Sequence, residues 1–75
     1  MSFTRFTRMV IEASADPARP HRLLDRDTNE VLAEHLTYGD ACALQFYLMH
    51  PDVSPPASRP DLVALVTRLL IPPSI

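Results

Sequence analysis

The sixteen residues HRLLDRDTNEVLAEHL, at positions 21–36, decide the fold because they predict a β-hairpin. Turn-forming residues occupy their centre, and Asn29 belongs to the few residue types other than glycine that tolerate left-handed backbone. A three-residue loop at positions 27–29 is a common hairpin connection, and it sets the register of the flanking strands. The predicted pairs are Arg26–Glu30, Leu24–Leu32 and Arg22–Glu34 on one face, and Leu23–Ala33, Asp25–Val31 and His21–His35 on the other. A slip of one residue would break both predicted ion pairs.

The segment before the hairpin predicts a third strand. Residues 3–14 are rich in Thr, Phe, Val and Ile and contain no turn residue, which is typical of a half-buried strand. Strict alternation would place Phe3, Arg5, Thr7, Met9, Ile11 and Ala13 on one face, with Phe6 and Val10 on the other. Residues 15–20 contain two prolines and predict a loop between this strand and the hairpin.

The segments after the hairpin predict two helices. Thr37 is the expected N-cap of a helix over residues 38–50, with Asp40 three residues later in a capping-box-like pattern. Pro51 ends this helix, because the residue before a proline is excluded from the helical region. A proline-rich connector then leads to a second helix over residues 58–71, whose first residue is its expected N-cap.

The order of elements, strands and then helices, indicates an α+β domain in which both helices pack on one face of a small antiparallel sheet. We expect one domain over residues 1–75, with residues 1–36 as its strand half and residues 37–75 as its helical half. The net charge of −2 argues against a general nucleic-acid binder, and the apolar fraction of 47% argues against disorder. No leader-like segment and no long apolar run stand out, so we expect a cytoplasmic protein.

Residues that commonly carry chemistry are few. The candidate metal ligands are His21, His35, His50 and Cys42, and none of them has a recognised zinc spacing. The chain has one glycine and hence no phosphate-binding loop, and the acids near the hairpin turn are too solvated for acid catalysis. We therefore expect no metal, no cofactor and no enzymatic activity.

The helical half carries more apolar side chains than one small sheet can cover. Eight of the ten residues in 41–50 are apolar, and so are eight of the ten in 62–71, whereas an ordinary surface helix has a single apolar stripe. Some apolar residues of any small protein stay exposed, but a sizeable apolar patch marks a contact with another protein. The candidate interface residues are Phe46, Tyr47, Met49, Val63 and Leu70.

Charge is distributed unevenly along the chain. Residues 1–24 carry four arginines and two acids, a net of +2, whereas residues 25–40 carry five acids and one arginine, a net of −4. Charges on a hairpin protect it from edge-to-edge aggregation; alternatively, they form an acidic patch that meets a basic surface of a partner. The candidate patch consists of Asp25, Asp27, Glu30, Glu34 and Asp40.

In outline, the chain resembles small phage-encoded anti-CRISPR proteins, in particular those that inhibit type I (Cascade-type) effectors. The shared features are the acid-rich strand half, the apolar helices and the lack of a catalytic constellation. The resemblance implies a non-enzymatic inhibitor in the host cytoplasm that docks on a nucleic-acid-binding subunit of the surveillance complex. The acidic patch would act as a local DNA mimic, and the helices would anchor the protein or dimerise.

Two other hypotheses stay open. The first is a homodimeric structural or regulatory module, antitoxin-like or a phage accessory protein, whose helices pair across a two-fold axis. The second is a β-ribbon DNA binder. Its arginines would be Arg5, Arg8, Arg19 and Arg22. The neighbouring acids disfavour this direct binding to nucleic acid.

Overall fold

The computed structural model of the chain describes Phe6 and residues 8–71, which form a three-stranded antiparallel sheet followed by two α-helices. The strands are β1 (Met9–Ala13), β2 (His21–Asp25) and β3 (Glu30–Leu36), in the order β1-β2-β3 across the sheet. The helices are α1 (Tyr38–Met49) and α2 (Pro60–Leu70). The predicted α+β class and the predicted order of elements are confirmed.

β1 is shorter than the sequence predicts. It begins at Met9, so Phe6 lies before the strand and strand alternation does not govern its side chain. Phe6 and Met9 are buried in the same core cluster, which corrects their predicted placement on opposite faces. Three further positions of the predicted strand, Phe3, Arg5 and Thr7, lie outside the described residues.

The predicted hairpin forms, but its turn is longer. The turn covers residues 26–29, four residues rather than three, and Asn29 has the predicted left-handed backbone with a φ of 61°. The carboxylate of Asp25 accepts a hydrogen bond of 3.0 Å from the Asp27 N–H. A short polar side chain therefore holds the turn together without any glycine.

The register of the hairpin differs from the predicted one. Leu23 pairs with Ala33 as predicted, and the predicted ion pair between Arg22 and Glu34 forms at 3.9 Å. The other observed pairs are Leu24–Val31, Asp25–Glu30 and His21–Leu36. The four predicted pairs that are wrong are Arg26–Glu30, Leu24–Leu32, Asp25–Val31 and His21–His35.

Two bulges, each adding one residue to β3, cause this difference. The first allows the consecutive residues Leu32 and Ala33 both to reach the core, whereas strict alternation would expose one of them. The second lies at His35, whose φ of 58° is unusual for a residue other than glycine, and it returns Leu36 to the core. Burial of these three apolar side chains outweighs a regular ladder of backbone hydrogen bonds.

α1 begins and ends where its capping residues predict. The hydroxyl of Thr37 accepts a hydrogen bond of 3.1 Å from the Asp40 N–H, which satisfies one of the free donors of the first turn. The last helical residue is Met49, and His50 is the C-cap. Pro51 follows directly and stops the helix.

α2 begins one residue later than predicted. Its N-cap is Arg59 and its first residue is Pro60, which corrects the expected cap at Ser58. Proline suits the first helical position because its missing N–H would have no partner there. No side chain caps this end by a hydrogen bond.

α1 is the central element of the fold. It contacts all three strands and α2, whereas α2 packs chiefly against α1. Ala41, Leu44 and Leu48 of α1 are fully buried, and Leu62 and Val66 of α2 join them in the core. The helices have 12 and 11 residues, fewer than the ~20 residues that cross a bilayer. The described part of the chain contains no helix long and apolar enough to span a membrane.

Candidate functional site

One side of α1 is apolar and covered by neither the sheet nor α2. Phe46 and Met49 on this side are 47% and 40% exposed. Val53, just beyond the helix, is also 40% exposed, and its N–H donates a hydrogen bond of 2.9 Å to the His50 carbonyl. The ring of His50 also lies 4.6 Å from that of Phe46. We call Phe46, Met49 and Val53 the α1 apolar face.

Two contacts fix the direction of α1 across the sheet. The rings of His21 and Tyr38 meet edge-on, with centroids 5.3 Å apart, at the end of the sheet away from the hairpin turn. The side-chain amide of Gln45 donates a hydrogen bond of 2.9 Å to the carbonyl of Met9, which pairs with Asp25 next to the turn. The α1 apolar face, in the C-terminal part of the helix, therefore lies at the same end of the molecule as the hairpin turn.

The five residues of the predicted apolar interface have different surroundings. The structure brings Phe46 and Met49 together on the exposed side of α1. Tyr47 and Leu70 are half-buried and pack against the core, and Val63 is half-buried on α2. Only part of the predicted set is therefore available to a partner without rearrangement.

Sequence reasoning missed Val53. Its proline-rich segment predicts a connector, and the predicted interface does not include it. Val53 lies beyond the end of α1, so helical spacing does not place it, and the sequence carries no signal for its exposure.

The structure separates the five carboxylates of the predicted acidic patch. Asp25 is buried, with 8% of its surface exposed, and Glu34 and Asp40 lie beside arginines in different parts of the fold. Asp27 and Glu30 are exposed at the hairpin turn. We call Asp27 and Glu30 the hairpin tip, and they form the part of the patch that remains most accessible.

Arg59 links the two helices. Its Nη2 donates hydrogen bonds to Asp40 (2.9 Å) and Asp61 (3.1 Å), and its Nε donates one to Asp61 (3.3 Å). The hydrogen bonds to Asp61 and then to Asp40 raise the pKa of Arg59, and the same guanidinium lowers the pKa of Asp61. Asp40 therefore serves to hold α2 against α1.

The face of the sheet opposite α1 carries a chain of ion pairs. Arg22 donates a hydrogen bond of 3.1 Å to Glu12 on the neighbouring strand and lies 3.9 Å from Glu34 on the other side. Arg26 lies 4.0 Å from Glu12. These charges compensate one another, so this face has no strong net charge.

The arginines of the β-ribbon hypothesis do not form one basic surface in the described residues. Arg22 belongs to the ion pairs just described, and Arg8 lies 3.9 Å from Asp27 at the hairpin tip. Arg19 is exposed in the loop between β1 and β2. Arg5 lies outside the described residues.

Asp16 holds the loop before β2 in place. Its carboxylate accepts hydrogen bonds from the N–H groups of Ala18 (2.9 Å) and Arg19 (3.3 Å) and lies 3.0 Å from Nδ1 of His35. The hydrogen bond from Ala18 lowers the pKa of Asp16 most, followed by those of His35 and Arg19. The loop is thereby tied to the second bulge of β3.

The predicted metal-ligand candidates have separate neighbours. His35 lies beside Asp16, His21 and His50 each contact an aromatic ring, and Cys42 is a half-buried free thiol. Within Phe6 and residues 8–71, no three histidine, cysteine or acidic side chains are grouped closely enough to hold a metal ion.

No protein-family model, curated protein or solved structure matches this chain.

Proposed function

We propose that this chain acts by contact with other proteins, as a non-enzymatic binding protein of the inhibitor type. The α1 apolar face carries the proposal, because Phe46 and Met49 of α1 and Val53 just after it stay 40–47% exposed. No charged residue lies between Asp40 and Asp52, so the helical part of the face, Phe46 and Met49, has no charged neighbour along α1. Contiguous apolar surface of this kind is characteristic of contact sites.

The hairpin tip gives the contact its direction. Asp27 and Glu30 lie at the same end of the molecule as the α1 apolar face, as the Gln45–Met9 hydrogen bond requires. Acidic groups beside an apolar area favour a partner with a basic surface, since complementary charge speeds encounter and selects orientation. The apolar face then supplies contact area with another protein chain.

A basic DNA-binding surface on a type I CRISPR surveillance complex is the candidate target. The resemblance to anti-CRISPR proteins supports this choice, and the accessible acids at the hairpin tip are compatible with local mimicry of DNA phosphates. Inhibition would be stoichiometric, since the chain would compete with DNA for a binding surface.

The test is a DNA-binding assay with a purified type I surveillance complex and increasing amounts of the chain. We expect inhibition by the wild type and weaker inhibition by the double variant Asp27→Asn/Glu30→Gln. The matched control is Ala64→Lys/Thr67→Lys, which changes net charge by the same amount on the exposed side of α2. The Phe46→Ser/Met49→Ser variant is compared with Ile71→Ser, which alters another exposed apolar residue. Unaltered DNA binding at a large excess of the wild type would exclude this target.

A further inference from the structure

β1 is an edge strand, and among the described residues only Gln45 bonds to its outer side, at the Met9 carbonyl. The Arg26 N–H donates to the Arg8 carbonyl (2.8 Å), and the Ser14 N–H donates to the Pro20 carbonyl (2.7 Å). Hydrogen-bonded and non-hydrogen-bonded residues alternate along an antiparallel strand. The backbone N–H and C=O groups of the even-numbered residues of β1 therefore point towards β2. The residues whose N–H and C=O groups point away from the sheet are Met9, Ile11 and Ala13.

The two edges of the sheet differ in regularity. β3, at the far edge, is interrupted by two bulges, whereas β1 pairs with β2 in an uninterrupted register. Bulges disrupt the ladder of backbone groups that an added strand requires. A regular edge with free backbone groups is a template for another strand, so strand addition to this sheet favours β1.

The α1 apolar face lies beside this open edge. Gln45 donates a hydrogen bond of 2.9 Å to the outward carbonyl of Met9, so a side chain from this side of the helix reaches the edge strand. Met49 lies one helical turn after Gln45, and Phe46 is on the same side of α1 as Met49. An occupant of this edge would therefore meet free backbone groups and an apolar helix surface together.

We propose that β1 and the α1 apolar face form an interface between two copies of this chain, related by a two-fold axis. The two β1 strands would pair antiparallel, which joins two three-stranded sheets into one. A second copy fits this site because it presents the same regular edge strand and the same uncharged helix side. An isologous contact of this kind closes on itself.

Charge selects the register of the paired strands. With Ile11 on the two-fold axis, the N–H and C=O of each Ile11 bond to those of the other. Glu12 then lies opposite Val10 of the second copy and not opposite another glutamate, an arrangement that avoids repulsion. The Ala13 N–H reaches the carbonyl of Met9 in the second copy, which has a second lone pair beside the one used by Gln45.

The spacing of the elements is compatible with this arrangement. Strands lie about 4.8 Å apart, so the two β2 strands would be about 14 Å apart, whereas packed helices are about 8–10 Å apart. The long side chains of Phe46 and Met49 fill the remaining gap between the two copies of α1.

The interface rests on the proposed function, in that it treats the α1 apolar face as a contact surface and assigns its contact area to a second copy. The second copy does not cover the hairpin tips, which lie one at each end of the dimer and contact the surveillance complex. A chain that is monomeric and still inhibits the surveillance complex would overturn the dimer alone. A dimer without inhibition would overturn only the proposed target.

The experiment is sedimentation of the full chain from micromolar to submillimolar concentration. We expect a species of twice 8.4 kDa. Ala13→Pro removes an outward N–H that makes no hydrogen bond to the described residues of the single copy, and we expect it to weaken the dimer roughly tenfold or more. Ala13→Thr is the matched control and keeps the dimer, because it retains the N–H. Phe46→Ser is expected to weaken the dimer without affecting β1.

Amide hydrogen exchange provides a second readout that requires no variant. We expect slow exchange at Ile11 and Ala13 at high concentration and fast exchange on dilution, while Val10 and Glu12, which bond to β2, stay protected throughout. A wild type that remains monomeric over the whole range overturns the proposal. So does a dimer that neither Ala13→Pro nor Phe46→Ser weakens, or one in which Ile11 and Ala13 exchange rapidly.

Discussion

The side-chain amide of Gln45 donates a hydrogen bond of 2.9 Å to the backbone carbonyl of Met9, and so ties the middle of α1 to the first residue of the edge strand. This bond spans 36 residues of sequence and connects the two halves of the domain. We expect Gln45→Met, which keeps the length of the side chain and removes the donor, to lower the free energy of unfolding by about 1 kcal/mol. Urea denaturation of the wild type and the variant measures the difference, and identical midpoints would contradict it.

Truncation of Leu44 is predicted to destabilise the fold much more than truncation of Phe46. Leu44 is fully buried between the elements of the core, so Leu44→Ala should cost about 2–5 kcal/mol through lost burial and the cavity left behind. Phe46 is 47% exposed, so Phe46→Ala should change the stability of dilute protein much less. Denaturation at low concentration, where self-association does not contribute, provides the comparison. An equal loss for both variants would mean that Phe46 belongs to the core.

Asp16 is predicted to make the fold sensitive to acid. The Ala18 N–H, and then His35 and the Arg19 N–H, lower its pKa in the folded chain below the ordinary value of 3.8. A carboxylate with a lowered pKa stabilises the fold above its unfolded-state pKa, and this contribution is lost as the pH falls through the folded-state pKa. We therefore expect Asp16→Asn to reduce the loss of stability below about pH 4.

The matched control for this measurement is Asp52→Asn, since Asp52 is exposed and makes no hydrogen bond to the described residues. Unfolding is followed by circular dichroism at several pH values for each variant. If wild type and Asp16→Asn lose stability in parallel on acidification, the hydrogen bonds to Asp16 contribute nothing to the acid response.

Arg59 is predicted to stabilise the packing of α2 in a salt-dependent way. Its guanidinium bonds to Asp61 and Asp40 but is 40% exposed, so water and ions screen these pairs. We expect Arg59→Met to lower the unfolding temperature at low salt and to differ less from the wild type at high salt. Arg68→Met, at an exposed arginine of the same helix, is the control. A difference that is independent of salt would assign the effect to packing of the side chain.

Local signals predicted the elements of this fold, and burial decided the pairing between them. Thr37 and Pro51 marked the limits of α1 correctly, because capping and the steric effect of proline act over a few residues. The register of β3 could not be predicted in the same way. It depends on bulges that place Leu32 and Ala33 in the core together, and that requirement comes from α1, which is distant along the chain.

The candidate site was predictable to a similar extent. The surplus of apolar residues in α1 correctly indicated exposed side chains at Phe46 and Met49. Composition alone could not distinguish them from Tyr47, since only the position of α2 decides which side of α1 is covered. The carboxylates were equally hard to predict. Asp40 bonds to Arg59, the N-cap of α2, and local sequence does not determine where α2 packs.

The two bulges of β3 also limit how far this molecule can assemble. In the proposed dimer, the two β1 strands pair and both edge strands of the joined sheet are copies of β3. These strands are bulged and therefore accept a further strand poorly. Growth into a filament would need a second regular edge strand, and the described part of the chain has none. The irregularity that brings Leu32, Ala33 and Leu36 into the core thus also protects the protein from fibril formation.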